Sequence, residues 1–363
     1  MSDGDLGSGQ TLHSHGYLNT GFGMFGTELP RASAEVVQPY MEERGLELGH
    51  DWVMIPPPNM PLFEGLPAAT LPSGFTTPPG LSAVRLPDRS VPKRRLVEIL
   101  SQSHRDRILR GHATPRWTGR RVDAVSVRVP GGAGEVVLSA KAIVVAAGCG
   151  SKRLVKGLVG ETPQMEQIKH RRVHMICVRA PRGSLPTTSV VAMPLGLMLA
   201  AHDQPDNVTW YVTPMEMGGP SYDDVPIDAA SDVDPALVAR GFATLLSLFP
   251  ALHEVDGLQL GCYAGYRQDI GDWPGRRMCE LVEGTDNVII ALPSGLVGPW
   301  LNVITMREVV GGLVAPSGSP PPLPGGGAGV RVGNAVEDRS DFVWMGWGEW
   351  LAKHARLSLR TGD

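Results

Sequence analysis

The residues best equipped for chemistry crowd the start of the chain. Gly7-Ser8-Gly9-Gln10-Thr11-Leu12-His13-Ser14-His15-Gly16-Tyr17-Leu18-Asn19-Thr20-Gly21 holds four glycines, four Ser/Thr residues and two histidines within fifteen positions. That is backbone freedom, hydrogen-bonding capacity and two groups that titrate near neutrality. His13 and His15 are two apart, so an extended loop places them on one face. A second histidine pair, His170 and His174, has the four-residue spacing of a helical zinc motif. Arg171 stands where that motif carries glutamate, and the segment reads as strand entry, so no metal is expected.

The elements that must position these groups follow from periodicity. A helix from Ala34 to about Arg44 is expected, kinked by Pro39. Pro56–Pro87 is dense in proline and glycine and reads as irregular. A helix spans Ser90 to about His104, with Leu96, Val97 and Leu100 as its apolar stripe. Val125, Val127 and Val129 mark a strand that turns at Pro130–Gly134 and returns over Glu135–Leu138. Ala142–Ala146 is a continuous apolar run, the signature of a strand buried on both faces. Val173–Arg179, Thr188–Met193, Gly196–His202 and Val208–Thr213 form an antiparallel layer. A helix opens at Asp234-Pro235 and ends before Pro250. Leu258–Arg267 and Asn287–Leu292 are strands, and Trp300 to about Val314 is a helix. Ala315–Gly329 reads as a linker, and Phe342–Leu357 as a last amphipathic helix whose Trp344, Trp347 and Trp350 pack onto the body.

Composition narrows the function classes. The 363 residues suit two domains, or one nucleotide-binding domain with a substrate domain inserted, and a formal charge of −4 gives no nucleic-acid footprint. Four cysteines without metal-type spacing are too few for a disulfide scaffold and read as reduced thiols. No apolar run approaches a membrane span, and the polar, acidic start is unlike a signal peptide. A cytoplasmic location without membrane contact is the expectation.

Three segments resemble the FAD-dependent oxidoreductases of the D-amino-acid oxidase and glycine oxidase superfamily. The first is Gly7–Gly16, which looks most like the flavin-contacting loop of dimethylglycine and sarcosine dehydrogenases. The second, Ala142-Ile143-Val144-Val145-Ala146-Ala147-Gly148-Cys149-Gly150-Ser151, is similar to the strand and Ala-Gly element beside the FAD pyrophosphate and ribose. The third, Asn287-Val288-Ile289-Ile290-Ala291-Leu292-Pro293-Ser294-Gly295-Leu296-Val297-Gly298, looks like the closing strand, glycine-rich turn and helix that cover the flavin ring. The resemblance runs over roughly residues 4–314 and leaves the tail unexplained.

The resemblance implies an α/β fold. A Rossmann-like FAD-binding domain would occupy residues 1–169 and 268–314, an antiparallel-sheet substrate domain 170–267, a linker 315–341, and a terminal helix 342–363. It implies FAD bound by Gly7, Ser8, Gly9, Gln10, Thr11, His13, Ala146, Ala147, Gly148, Gly295, Leu296, Val297 and Gly298. His13 either tethers the flavin covalently or, with His15, donates hydrogen bonds to backbone or FAD phosphate. His15 is the candidate polar or proton-accepting group. Arg267 is the candidate clamp for a substrate carboxylate, or else a structural ion-pair partner of Asp269 or Asp272. Gln268 follows it where the family usually has proline. Tyr263 and Tyr266 are an odd number apart, so at most one lines the pocket, and Tyr263 is the candidate.

The implied reaction is oxidation of a small amine, amino acid or hydroxy acid by hydride transfer to flavin, with O₂ or a redox carrier as acceptor. The family's opening strand, G-x-G-x-x-G turn and helix have no counterpart here. Either the natural start of the chain precedes Met1, or this is a non-catalytic fragment or binding protein that has lost the FAD pyrophosphate site. The flavin-facing character of the later segments favours the first.

Overall fold

The structure of the chain, a computed structural model, describes residues 6, 11–12, 14–18, 33–49, 51–129, 134–215, 233–271, 278–292, 298–314, 330–333, 338 and 342–358. The first elements are β1 (Tyr17–Leu18), α1 (Gln38–Glu43), β2 (Trp52–Ile55), β3 (Ala68–Ala69), β4 (Ala83–Leu86), β5 (Arg89–Ser90) and α2 (Lys93–Gln102). Then come β6 (His112–Thr118), β7 (Arg121–Arg128), β8 (Glu135–Ser139), β9 (Ile143–Val145), α3 (Ser151–Val159), α4 (Pro163–Glu166) and β10 (Ile168–Pro181). The remainder is β11 (Ser189–Ala192), β12 (Leu197–Asp203), β13 (Asn207–Pro214), α5 (Pro235–Leu248), β14 (Gln259–Ile270), β15 (Met278–Leu281), β16 (Val288–Leu292), α6 (Gly298–Leu313) and α7 (Trp347–Ser358).

An eight-stranded sheet dominates, in the order β14-β10-β13-β12-β11-β2-β4-β3. All its pairings are antiparallel except β11 with β2. The expected antiparallel layer is therefore present. It also draws in three strands from residues 52–86, a stretch whose proline and glycine content hides them. A smaller sheet, β15-β16-β9, pairs β16 and β9 in parallel. The meander β6-β7-β8 includes a strand at His112–Thr118 that alternation in the sequence does not reveal.

Register assigns the two faces of the large sheet, because directly paired residues point the same way. Tyr263 pairs with Met175, and Cys177, Tyr211 and Ala200 lie in one row. These side chains form one cluster with Trp52, Met54 and Leu86. The opposite face carries Ile176, Val178, Val212, Trp210 and Leu199. It is covered by Val238, Phe242 and Leu245 of α5 and by Trp350 of α7. Helix α5 forms where the sequence marks it. Asp234 Oδ1 accepts from the backbone N–H groups of Ala236 (2.9 Å) and Leu237 (3.2 Å), and Pro235 sits in the first turn.

Two expectations are corrected. Strand β9 is not buried on both faces: Val145 is buried, but Val144 is 38% exposed and Ala146 and Ala147 are exposed. Among the described residues it pairs with β16 alone, at the edge of its sheet. The last helix does not begin at Phe342 but at Trp347, because Met345 pairs with Leu260 of β14 and holds the preceding residues extended. Trp347 and Trp350 pack onto Phe242 as expected.

Candidate functional site

The loop carrying His15 lies across the face of the large sheet opposite α5. Gly16 makes this possible. Its φ is +77°, and a side chain there would place Cβ 2.7 Å from Val91 O and 2.9 Å from His202 Cε1. With that close approach, His202 Nε2 lies 2.8 Å from the carbonyl oxygen of His15. A carbonyl only accepts, so Nε2 of His202 carries the proton. His15 Nδ1 accepts from the backbone N–H of Tyr17 at 3.1 Å.

Electrostatics keep both rings neutral. His15 is pushed down to about 3, chiefly by loss of hydration and then by the positive charges of Arg267 and Lys93 and by His202. His202 is pushed down to about 4 by burial and Lys93, against its bond to His15. A neutral His15 whose Nδ1 already accepts carries its proton on Nε2, so that nitrogen is a donor at neutral pH. Arg267 acts on His15 strongly enough to be its second perturbing influence, which puts the two candidates in one electrostatic neighbourhood.

Around them lie groups that the sequence did not single out. Lys93 is 5% exposed, and its Nζ sits 3.9 Å from the centre of the Tyr211 ring and 3.4 Å from Leu12 O. The signal was available: Lys93 precedes Leu96 and Val97 by three and four residues, so it falls on the apolar stripe of α2. Tyr17 packs edge-on to Trp52 at 4.7 Å, and Trp52 Nε1 donates to Ser90 Oγ at 3.1 Å. Burial and the bond to buried Asp88 raise the Tyr17 phenol well above its usual range, so it stays protonated.

Arg267 and Tyr263 occur together on the site face of β14. Arg267 pairs in register with Arg171 of β10. Fully buried Asp269 bridges the two guanidinium groups, with Oδ1 3.1 Å from Arg267 Nε and Oδ2 3.2 Å from Arg171 Nε. The ion pair with Asp269 is thus present. The contact is an ion pair at the Nε edge of Arg267 without hydrogen-bond geometry, so charge rather than a directed bond holds it; the terminal nitrogens of an arginine form the fork that recognises carboxylates. Tyr263 is 7% exposed. Strand alternation puts Tyr266 on the other face.

Of the remaining candidates, Thr11 O accepts from Ser14 Oγ at 2.9 Å, turning the loop before His15. Gly7, Ser8, Gly9, Gln10, His13, Gly295, Leu296 and Val297 lie outside the described residues, so the tether falls there too. Gly298 opens α6. His174 Nε2 accepts from the Asp234 N–H at 2.8 Å, which ties it to the start of α5. Cys149 donates to Tyr266 O at 3.4 Å and is pushed up to about 12 by burial and Asp269, so it remains a thiol.

The strand end and turn from Val144 to Gly150 fit a nucleotide cofactor. Val144, Ala146 and Ala147 are exposed, and Gly148 has φ +55° with nothing within 4 Å of an added Cβ. The turn is held from behind by buried Ser151, whose Oγ accepts from the Ala147 N–H at 2.9 Å. An uncovered, small-residue surface on a braced turn lets a ribose and pyrophosphate come close to backbone.

No protein-family model matches the chain, and no curated protein is significantly similar to it in sequence. Solved structures do match. An FAD dependent oxidoreductase from Pseudomonas aeruginosa has a TM-score of 0.63 at 20% identity, covering 88% of this chain and 86% of that one. Glycine oxidase from Geobacillus kaustophilus gives 0.61 at 16%, covering 86% of each chain. L-proline dehydrogenase from P. horikoshii gives 0.61 at 13%, covering 87% of each. Among the described residues no helix is long and apolar enough to cross a membrane. The chain has the mixed α/β fold of FAD-dependent oxidoreductases of the glycine oxidase type.

Proposed function

We propose that this chain is an FAD-dependent oxidoreductase acting on a small amine, amino acid or hydroxy acid. The observation that carries the reading is that Tyr263 and Arg267 share one face of the large sheet, the face on which His202 of β12 meets the His15 loop. The fold shared with glycine oxidase and L-proline dehydrogenase supports the same class. FAD, when bound, supplies the acceptor for a hydride leaving the substrate carbon. Ala146, Ala147 and Gly148 would seat its ribose and pyrophosphate.

The chain's own residues then position and insulate. Arg267 clamps a substrate carboxylate, with the Asp269 carboxylate held against its Nε edge as an ion pair. Neutral His15 donates from Nε2 and is no proton acceptor at neutral pH, which refines its expected role. Lys93, buried under Tyr211, adds a fixed positive charge that favours negative charge developing nearby.

The test is retention of flavin by the purified chain after incubation with FAD and gel filtration, followed by anaerobic addition of amines, amino acids and hydroxy acids. Loss of the flavin's visible band with one of these classes is the expected result. A chain that retains no flavin overturns the reading for this chain and favours the alternative, a fragment or binding protein without the FAD pyrophosphate site. Acid precipitation settles the tether: a colourless pellet from a flavin-loaded sample removes a covalent bond at His13.

A further inference from the structure

The tail that the sequence resemblance leaves unexplained reaches the site face. Leu260 and Met345 exchange two backbone hydrogen bonds of 2.8 Å, so the segment before α7 extends the large sheet beyond its edge strand β14. Side chains then alternate. Phe342 and Trp344 pack with the cluster of Tyr263, Met175 and Tyr211, whereas Met345 joins the core under α5. Helix α7 continues on that second face. The tail therefore clasps the sheet edge, with aromatic rings on one side and a helix on the other.

Gly261 shows how closely the clasp fits. A Cβ there would lie 2.5 Å from both Cε1 and Cζ of Phe342, so the ring rests on bare backbone two residues from Tyr263. The rings of Phe342 and Tyr263 stand at 6.3 Å and 74°, and those of Phe342 and Trp344 at 5.0 Å and 68°. Trp344 is pinned in turn: the Arg179 guanidinium lies 4.2 Å from its ring centre and pairs with Asp338 at 3.3 Å.

We propose that Phe342 is a positioning residue of the substrate site. It fixes the ring of Tyr263, and so sets the apolar wall against which the non-reacting part of a carboxylate substrate rests. The ligand class favoured is a carboxylate bearing an aromatic or bulky apolar substituent. The proposal rests on the reading of Tyr263 and Arg267 as one substrate site, and the experiment separates the two.

Benzoate and acetate are titrated calorimetrically into the FAD-loaded full chain and its variants. Phe342→Ala weakens benzoate about tenfold and acetate less than about twofold, and Phe342→Tyr restores benzoate binding. Gly261→Ala, which displaces the ring without altering either aromatic residue, gives the same selective loss and covers the case in which Phe342→Ala does not fold. Val343→Ala, at an exposed residue of the same segment, leaves both ligands unchanged. Benzoate binding untouched by the Phe342 and Gly261 changes but lost in Arg267→Lys overturns the role of Phe342 and leaves the site standing. Equal losses for benzoate and acetate reduce the tail to a structural brace and also overturn it. Benzoate binding that ignores Arg267→Lys removes the site and the proposal with it.

Discussion

The two faces of the large sheet are built on different terms. One is sealed: Ile176, Val178, Trp210 and Val212 meet α5 and α7 over apolar contacts, and Trp350 and Leu245 are fully buried. The other holds Lys93, His15, His202, Arg171, Arg267 and Asp269 among aromatic and methionine side chains. Burying polar groups costs free energy unless they are partnered. The chain meets that cost with cross-links between distant segments, such as His15 to His202 and Asp269 to two arginines. The sealed face supplies stability; on the proposed reading the polar face supplies recognition, with less apolar packing.

Cutting each face in turn breaks or sharpens that division. The largest effect on folding is expected on the sealed face. Phe242→Ala removes a ring packed on Trp347 and Trp350, and destabilises by about 3–5 kcal/mol in urea titration. Turnover per folded molecule should be unchanged. Next comes the polar face. Arg267→Lys keeps the charge but loses the fork, and lowers kcat/KM by about a hundredfold on a carboxylate substrate, read by steady-state kinetics. Its urea midpoint should stay near that of the parent, since Asp269 keeps Arg171. A reversal of these two outcomes would dissolve the distinction between the faces.

The smallest effect is on pH dependence. His15 and His202 have folded pKa values depressed below the unfolded value, so the unfolded chain binds more protons once the pH drops below about 6.5. Stability is therefore full above that pH and declines as pH falls toward about 4 and then 3. His202→Gln keeps an N–H for the His15 carbonyl and removes one titrating ring. It should flatten the fall in melting temperature between pH 6 and pH 4, an interval set by the usual histidine range. An acid limb as steep as the parent's would contradict the neutral-ring description.

Much of the sealed face was legible in the sequence. The β-branched and aromatic run Val208–Thr213 and the stripe Val238, Phe242, Leu245 and Phe249 name strand and helix directly, and Asp234-Pro235 marks the cap. The polar face was less so. Tyr263 and Arg267 were found through resemblance; parity separated Tyr263 from Tyr266, and it is the strand register that puts Tyr263 and Arg267 on one face. Lys93 was visible only as a cation on an apolar stripe, and His202 only as a polar residue ending the row of Met198 and Ala200. Strands β2, β3 and β4 were hidden because proline and glycine around them outweigh short apolar runs. The extended tail was missed because tryptophans at helical spacing masked the period-two step from Phe342 to Met345. Such long-range pairings depend on a partner strand, which local sequence does not encode.

The most direct measurement is an anaerobic titration of the FAD-loaded chain with carboxylated amines, followed at the flavin's visible band, beside the same titration of Arg267→Lys. The account predicts bleaching of the parent at substrate concentrations that leave the Arg267→Lys variant oxidised. Equal bleaching of both, or a parent chain that holds FAD and is reduced by none of them, would contradict a carboxylate-clamping site on this face.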